Sequence, residues 1–441
     1  MPTPENVEIA NLQALSRLVS ETEGQYFVVC KNSETFDHTS QNKNPVISFI
    51  GRGGLSVDVS LDRFNNCRIK KFLELEIFSK KPKVLGWNIK LIFSYFKSQC
   101  SSSSDTFGDS EFFDLHLYSR FFDIEQPKNL NFSELAKIFK TYAINKNAYE
   151  SIHKLVHNPL STKVIPAIES SFLVDVQNES RVYPCYEIEG QDNGRLNATT
   201  KHIKAYNPHH LTTEKKSNLN LKGKRNIFME LDFKSMEVCM LAAISNDEIL
   251  SKDIESNNDF YAFLAEKLQL TSRIEAKNVM LGVLYGMGTK TLAEKLGISE
   301  SDGYNIKSKL SSMYPISFDY LQKKVTETKN NGSCVDYLGR VRSFSAGEEY
   351  KAMNFVVQAP AATVCCELMA RLYNCCKDFC DILYSVHDSY VMATSKDEGP
   401  ELYKTAIKCL ELPSELIPRL KLSVGCKAGK ELGSLKQMGK K

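Results

Sequence analysis

Residues 227–245 read Ile-Phe-Met-Glu-Leu-Asp-Phe-Lys-Ser-Met-Glu-Val-Cys-Met-Leu-Ala-Ala-Ile-Ser. The opening apolar run ends on a carboxylate, Asp232, and predicts a strand; from Met236 to Ile244 the apolar spacing predicts a helix packed on it. Residues 383–394 predict a second pair of strands around a tight His387-Asp388 turn. Between the two strand-borne aspartates, 259–325 is helical in pattern almost throughout. Two carboxylates brought together from separate strands can hold two divalent cations about 3.5–4 Å apart, one activating an attacking hydroxyl and the other stabilising a leaving group.

Within the helical insertion, Arg273, Lys277, Leu281 and Tyr285 recur every four residues. At about 100° per residue each step advances about 40°, so the four share one stripe. Two cations followed by an aromatic suit a triphosphate at one end and a base or sugar at the other. A solvated basic face with Leu281 and Tyr285 in the core fits the spacing equally well. Phosphates flanked by Lys and Arg beside two carboxylates are the machinery of nucleotidyl transfer.

Working outward, 26–29, 45–50 and 55–59 predict strands, the glycines at 51–54 a hairpin turn and the serines at 101–104 a loop. Strands alternating with helices suggest an α/β domain ending near residue 145. Residues 142–176 read as helix and 177–226 as loops. With 441 residues, 42% of them hydrophobic, the chain is long enough for two or three domains and too apolar for disorder. A net charge of +3 gives no global nucleic-acid signal, so any such contact must be local. Thirteen scattered cysteines, including Cys375, Cys376 and Cys380, read as reduced thiols without a metal. No uninterrupted apolar run approaches about 18 residues, so no membrane span is expected and the cytoplasm is the expected compartment.

These motifs resemble the family A DNA polymerases, those like bacterial DNA polymerase I and its phage relatives. Leu231-Asp232-Phe233-Lys234-Ser235-Met236-Glu237 is similar to the first palm motif, Arg273 through Gly286-Met287 to the fingers helix, and Ser385-Val386-His387-Asp388-Ser389 to the palm hairpin. Gly194-Arg195-Leu196, Leu338-Gly339-Arg340-Val341-Arg342, residues 354–363 and residues 420–433 match four further segments in the family's order.

The resemblance implies α/β and α+β architecture: an RNase H-like exonuclease-type domain (1–145), then a right-hand polymerase domain (146–441) with an antiparallel palm sheet (165–245 and 340–441) and helical fingers (246–339). It implies that Asp232 and Asp388 bind two Mg²⁺ ions, with Mn²⁺ as a substitute, and that Lys277 assists catalysis. Arg273, Lys277, Leu281, Tyr285 and Glu237 would bind the incoming dNTP, Glu237 as a gate against ribose. Arg195, Arg340, Arg342, Asn354, Gln358 and His387 would contact the DNA primer-template. RNA or template-independent synthesis is retained as an alternative, as is a catalytically weak DNA-binding or assembly subunit.

Several positions depart from the family pattern. Leu281 stands where a ring is usual, Ala359 and Thr363 replace a glycine and an aspartate, and Ser389 replaces an auxiliary carboxylate. The exonuclease motifs carry Asn32, Ile92 and Lys146 at metal-binding positions, which implies no proofreading. Ile168-Glu169 resembles the first palm helix and lies close to Gly194, leaving almost no room for a thumb. Low processivity, or a partner protein supplying the clamp, is expected. Lys215-Lys216 and Lys222 through Arg225 either replace some of that grip or form a solvated loop; His209 and His210 read as loop residues.

Overall fold

The computed structural model describes residues 26–31, 46–51, 56–60, 83–87, 111–124, 135–138, 141, 149–177, 179–188, 190–200 and 205–438. The chain divides into two compact units: Met1–Asp232 with Cys366–Cys409 and Gly425–Lys441, and Phe233–Cys365 with Leu410–Val424.

The first unit opens with β1 (Tyr26–Lys31), β2 (Val46–Gly51), β3 (Ser56–Ser60), β4 (Lys83–Trp87) and β5 (Glu111–Asp114), in the sheet order β3-β2-β1-β4-β5. β1 is antiparallel to β2 and parallel to β4. Val28, Ile47, Phe49, Ile50 and Val59 are buried, as is Ser48 between two of them, so β2 is enclosed on both faces. Asp114 ends β5 and caps α1 (Leu115–Phe121), accepting the His116 N–H at 3.0 Å. Asn32, Ile92 and Lys146, on which the exonuclease reading turns, lie outside the described residues, as do the turn at 52–54 and the serines at 101–104.

Residues 149–170 are helical, through two π-helical turns, His153–His157 and Leu160–Val164, into α2 (Ile165–Ser170). The expectation of loops over 177–226 is corrected. β6 (Leu173–Asp175) and β7 (Ser180–Pro184) are antiparallel, and β8 (Tyr186–Glu187) pairs with β9 (Asn197–Ala198) around Gly194-Arg195-Leu196. β10 (Ala205–Tyr206) lies beside β7; after α3 (Thr213–Ser217), β11 (Leu219–Asn220) lies beside β6. Segments of two to five residues are too short to show a period of two, so pairing rather than local pattern makes them strands. β12 (Ile227–Phe233) is the strand read from the sequence.

In the second unit α4 (Met236–Ser245) follows Ser235, which adopts a left-handed φ of 53°. The helix starts are written in side chains that accept first-turn N–H groups. Asp247 caps α5 (Glu248–Ser256), Asp259 caps α6 (Phe260–Leu268) and Ser272 caps α7 (Arg273–Leu284). α8 (Thr289–Leu296) stops at left-handed Gly297, Ser299 caps α9 (Glu300–Met313), and α10 (Pro315–Asn331) stops at left-handed Gly332. The buried Asp247 carboxylate also accepts from the Ser317 N–H and hydroxyl at 3.1 and 2.9 Å, tying α5 to α10. The hairpin of β13 (Ser333–Val335) and β14 (Val341–Ser343) precedes α11 (Ala352–Cys376). Helical residues 349–376 are long and apolar enough to cross a membrane by length and composition, a feature the sequence reading passed over; 89% of their most apolar stretch is buried, as in a core helix.

The first unit closes with β15 (Cys380–Val386), β16 (Ser389–Thr394), α12 (Gly399–Glu411), β17 (Val424–Gly429) and β18 (Lys436–Gln437). Its main sheet runs β15-β16-β12-β17-β18. All of β16 is buried and α2 packs on β15, so this sheet is a rigid base for what its turns carry.

Candidate active site

Asp232, one residue before the end of β12, is exposed, and its register partner on antiparallel β16 is Ser389. Ser389 pairs in turn with Val386 across the His387-Asp388 turn. Asp388 is therefore one residue beyond the position opposite Asp232, where facing Cα atoms are about 4.5–5.5 Å apart. His387 takes a φ of 54°, uncommon for a side-chain-bearing residue, and the Ser389 hydroxyl donates to the Val386 carbonyl at 3.0 Å. The base of the turn is clamped from behind. The Tyr186 hydroxyl donates to the Ser385 carbonyl at 2.6 Å and accepts the Ser385 N–H at 3.0 Å, while Glu169 accepts the Tyr186 N–H at 2.9 Å. Burial pushes the Tyr186 phenol far above its ordinary range, so it stays a neutral donor.

Among the described residues no three His, Cys, Asp or Glu side chains converge as a metal cage. Two carboxylates, one near the end of β12 and one in the turn before β16, suit a hard cation that keeps several waters and takes its other ligands from substrate phosphate, as Mg²⁺ does.

In the second unit, Arg273 and Lys277 on α7 are exposed, while Leu281 and Tyr285 are half-buried and Ala276, Val279, Met280 and Val283 are buried. The stripe is the solvent-facing side of a helix whose opposite face is core. At its far end the Tyr285 hydroxyl donates to Glu237 Oε1 at 3.0 Å. At its near end Arg273 is paired with Asp259, the cap of α6, and its guanidinium lies 5.5 Å from the centre of the Tyr261 ring. Although partial burial acts the other way, hydrogen bonds from Arg273 and from the Ala262 and Tyr261 N–H groups hold the Asp259 carboxyl below the usual carboxylate range.

The expected DNA-contacting residues fare unequally. Every residue of 352–370 is buried except Asn354 and Gln358, which four-residue spacing places on one accessible stripe. Arg342 is half-buried, with its guanidinium over the Phe344 and Phe355 rings at 5.0 and 6.0 Å. Arg195 is half-buried behind Gly194, whose φ of 77° makes the turn between β8 and β9. Arg340 is the correction. It is 1% exposed, its guanidinium donates to Thr363 Oγ1 at 3.4 Å, and its N–H donates to Asp336 at 2.9 Å. A side chain enclosed in this way cannot reach a duplex, and Thr363, where the family has an aspartate, is one of its partners. Arg340→Ala is therefore expected to lower unfolding free energy by about 3 kcal/mol, read by denaturant titration; a stable variant with weakened DNA binding would restore the original assignment. In the basic loop, Arg225 is committed to Asp381 at 2.6 Å and to the Asp378 carbonyl at 2.9 Å, while Lys222 and Lys224 are exposed.

The family described as DNA polymerase family A matches residues 128–434. The chain belongs to DNA polymerase family A. Among curated members, DNA polymerase I of Borreliella burgdorferi is 26% identical over 231 residues, covering 48% of this chain and 25% of that protein. The DNA polymerase of Mycobacterium phage L5 is 28% identical over 150 residues, covering 34% and 25%. The matched region thus spans about a quarter of the length of these relatives. The POL domain of Pol1 from M. smegmatis, solved in complex with DNA primer-template and dNTP, superposes with a TM-score of 0.72 at 12% identity over 96% of this chain and 98% of that one. The shared fold is that of a mixed α/β family A polymerase domain.

Asp259 and Tyr261 of this family A chain were not singled out in the sequence, and His209 was read there only as a loop residue. His209 packs its ring 4.9 Å from that of His387, beside the aspartate turn. Burial, then the neighbouring His387, His210 and Arg195 charges, push it down to about 4, so it is neutral at pH 7. Asp259 and Tyr261 engage Arg273. A pairing across fourteen residues and a ring contact across a loop have no local signature in the sequence.

Proposed function

We propose that this family A chain is a DNA-directed DNA polymerase that adds deoxynucleotides to a primer 3′-hydroxyl. The observation that carries the reading is the register that sets Asp388 beside the partner of Asp232. Asp232 and Asp388 would hold two Mg²⁺ ions, which when bound supply Lewis acidity at the attacking and leaving oxygens. The exposed Lys277 and Arg273 offer charge-assisted donors to the triphosphate. Tyr285 orients the Glu237 carboxylate at the sugar. Arg195, Arg342, Asn354, Gln358 and His387 position the primer-template through backbone and shape more than sequence.

The palm (165–245 and 340–441) and fingers (246–339) assignments draw support from the antiparallel sheet and from helices α5–α10. The sheet order β3-β2-β1-β4-β5, that of an RNase H-like fold, supports an exonuclease-type scaffold at 1–145, without proofreading. The short stretch between α2 and Gly194, which holds β6, β7 and β8, supports a strongly reduced thumb.

Primer extension on a long template, with each nucleotide type and rising salt, tests the reading. Templated deoxynucleotide addition in short products is expected. DNA binding without incorporation would identify a binding subunit, and untemplated or ribonucleotide addition a different transferase. Trimming of a mispaired 3′ end by pure protein without triphosphates would overturn the absence of proofreading.

Arg273 must exchange Asp259 for phosphate as the nucleotide arrives. Asp259→Asn keeps a helix cap but removes the competing charge. An exposed ion pair contributes about 0–1 kcal/mol, so KM for dNTP is expected to fall by up to about fivefold at constant kcat in steady-state kinetics. A raised KM would show instead that Asp259 presents Arg273 to the nucleotide.

A further inference from the structure

We propose that Cys375 and Cys409 are a modification site, a thiol pair that a hydroperoxide converts to a disulfide. Cys375 is the penultimate residue of α11 and is exposed, whereas Cys409 lies in the last turn of α12 and is buried. Their sulfurs are 3.4 Å apart. A disulfide is about 2.0 Å long, so about 1.4 Å of approach closes the bond, within reach of two helix ends.

The juxtaposition is built by packing. Arg371, one turn before Cys375, donates to the Cys409 carbonyl at 3.4 Å and to Glu367 at 2.6 Å, pinning the last turn of α12 against α11. The neighbouring thiols are differently placed. Cys376 is fully buried, its thiol pushed up to about 12 by burial and then by Cys375, and Cys380 donates its S–H to the Cys376 carbonyl at 3.4 Å.

The exposure difference sets the order of events. The Cys375 sulfur gives up its proton and attacks the terminal peroxide oxygen; the O–O bond breaks, Cys375 becomes a sulfenic acid, and the departing oxygen takes the proton and leaves as water from hydrogen peroxide or as an alcohol from an organic hydroperoxide. The Cys409 sulfur then attacks the Cys375 sulfur; the S–S bond forms, the S–O bond breaks, and the hydroxyl leaves as water with the Cys409 proton. Two thiols lose two electrons to one peroxide. The closed loop encloses β15, the His387-Asp388 turn and β16, so the bond ties together the elements on either side of Asp388.

The full chain is treated with hydrogen peroxide, alkylated, and analysed by intact mass and tryptic mapping. Expected is a species lighter by two hydrogens before alkylation, with two fewer alkylatable thiols and a linked pair of peptides 372–377 and 409–419, all restored by dithiothreitol. The link should persist in Cys376→Ser and vanish in Cys375→Ser, an exposed position whose change spares the core. A Cys375 that ends as sulfinic acid while Cys409 remains alkylatable after denaturation would overturn the proposal, as would a link lost in Cys376→Ser and kept in Cys375→Ser.

Discussion

Asp232→Ala and Asp388→Ala each lower single-turnover nucleotide incorporation by about 10³-fold or more, about 4 kcal/mol of transition-state stabilisation, while leaving the fold intact. The size follows from the scarcity of ligands: among the described residues no third carboxylate joins the pair, so none of them substitutes for either. The intact fold follows from position. Asp232 is exposed at the end of β12, and the sheet beneath it is held by a fully buried β16 and by the Tyr186–Ser385 clamp. Thermal unfolding should therefore place both variants within about 1 kcal/mol of the parent. Ser389→Ala is the internal control. Its hydroxyl is engaged with the Val386 carbonyl, so removing it should cost less than about tenfold. Incorporation unchanged by either aspartate substitution would dismiss the catalytic assignment, and a Ser389 effect as large as theirs would make the hydroxyl part of the ligand set.

How much of this was legible depended on how locally each feature is encoded. β12, α4 and the His387-Asp388 hairpin were readable because an apolar run, a change of period and a tight turn are properties of neighbouring residues. The seven ordered segments added the long-range order that periodicity lacks, so the family was readable before any coordinate. The strands of 173–220 were not, because elements of two to five residues become strands by finding partners. Arg340 misled for a related reason. The resemblance put Arg340 among the DNA contacts, and only the packing of Asp336 and Thr363 around it shows that it is internal. The α11 stripe shows the opposite case: the resemblance named Asn354 and Gln358, and burial everywhere else from 352 to 370 leaves those two as the accessible ones.

The gate proposed at Glu237 makes the second large prediction, and its contact with Tyr285 supports a mechanism for it. A carboxylate at the end of a rotatable side chain excludes a 2′-hydroxyl only if it is held in place. Here the Tyr285 hydroxyl holds it, donating to Oε1 at 3.0 Å across the start of α4 and the end of α7. Glu237→Ala removes the obstacle, and the preference for deoxy- over ribonucleotides, as a ratio of kcat/KM values, should fall by about 10²-fold, chiefly through faster ribonucleotide use. Tyr285→Phe leaves the carboxylate but removes its tether, worth about 0.5–1.5 kcal/mol, so the same ratio should fall by about tenfold or less. The double variant should resemble Glu237→Ala alone, because a tether without its carboxylate has nothing to hold. An unchanged ratio in Glu237→Ala would remove the gate from this residue. Additive losses in the double variant would instead mean that Tyr285 acts on the sugar independently of Glu237, through the half-buried ring next to Leu281.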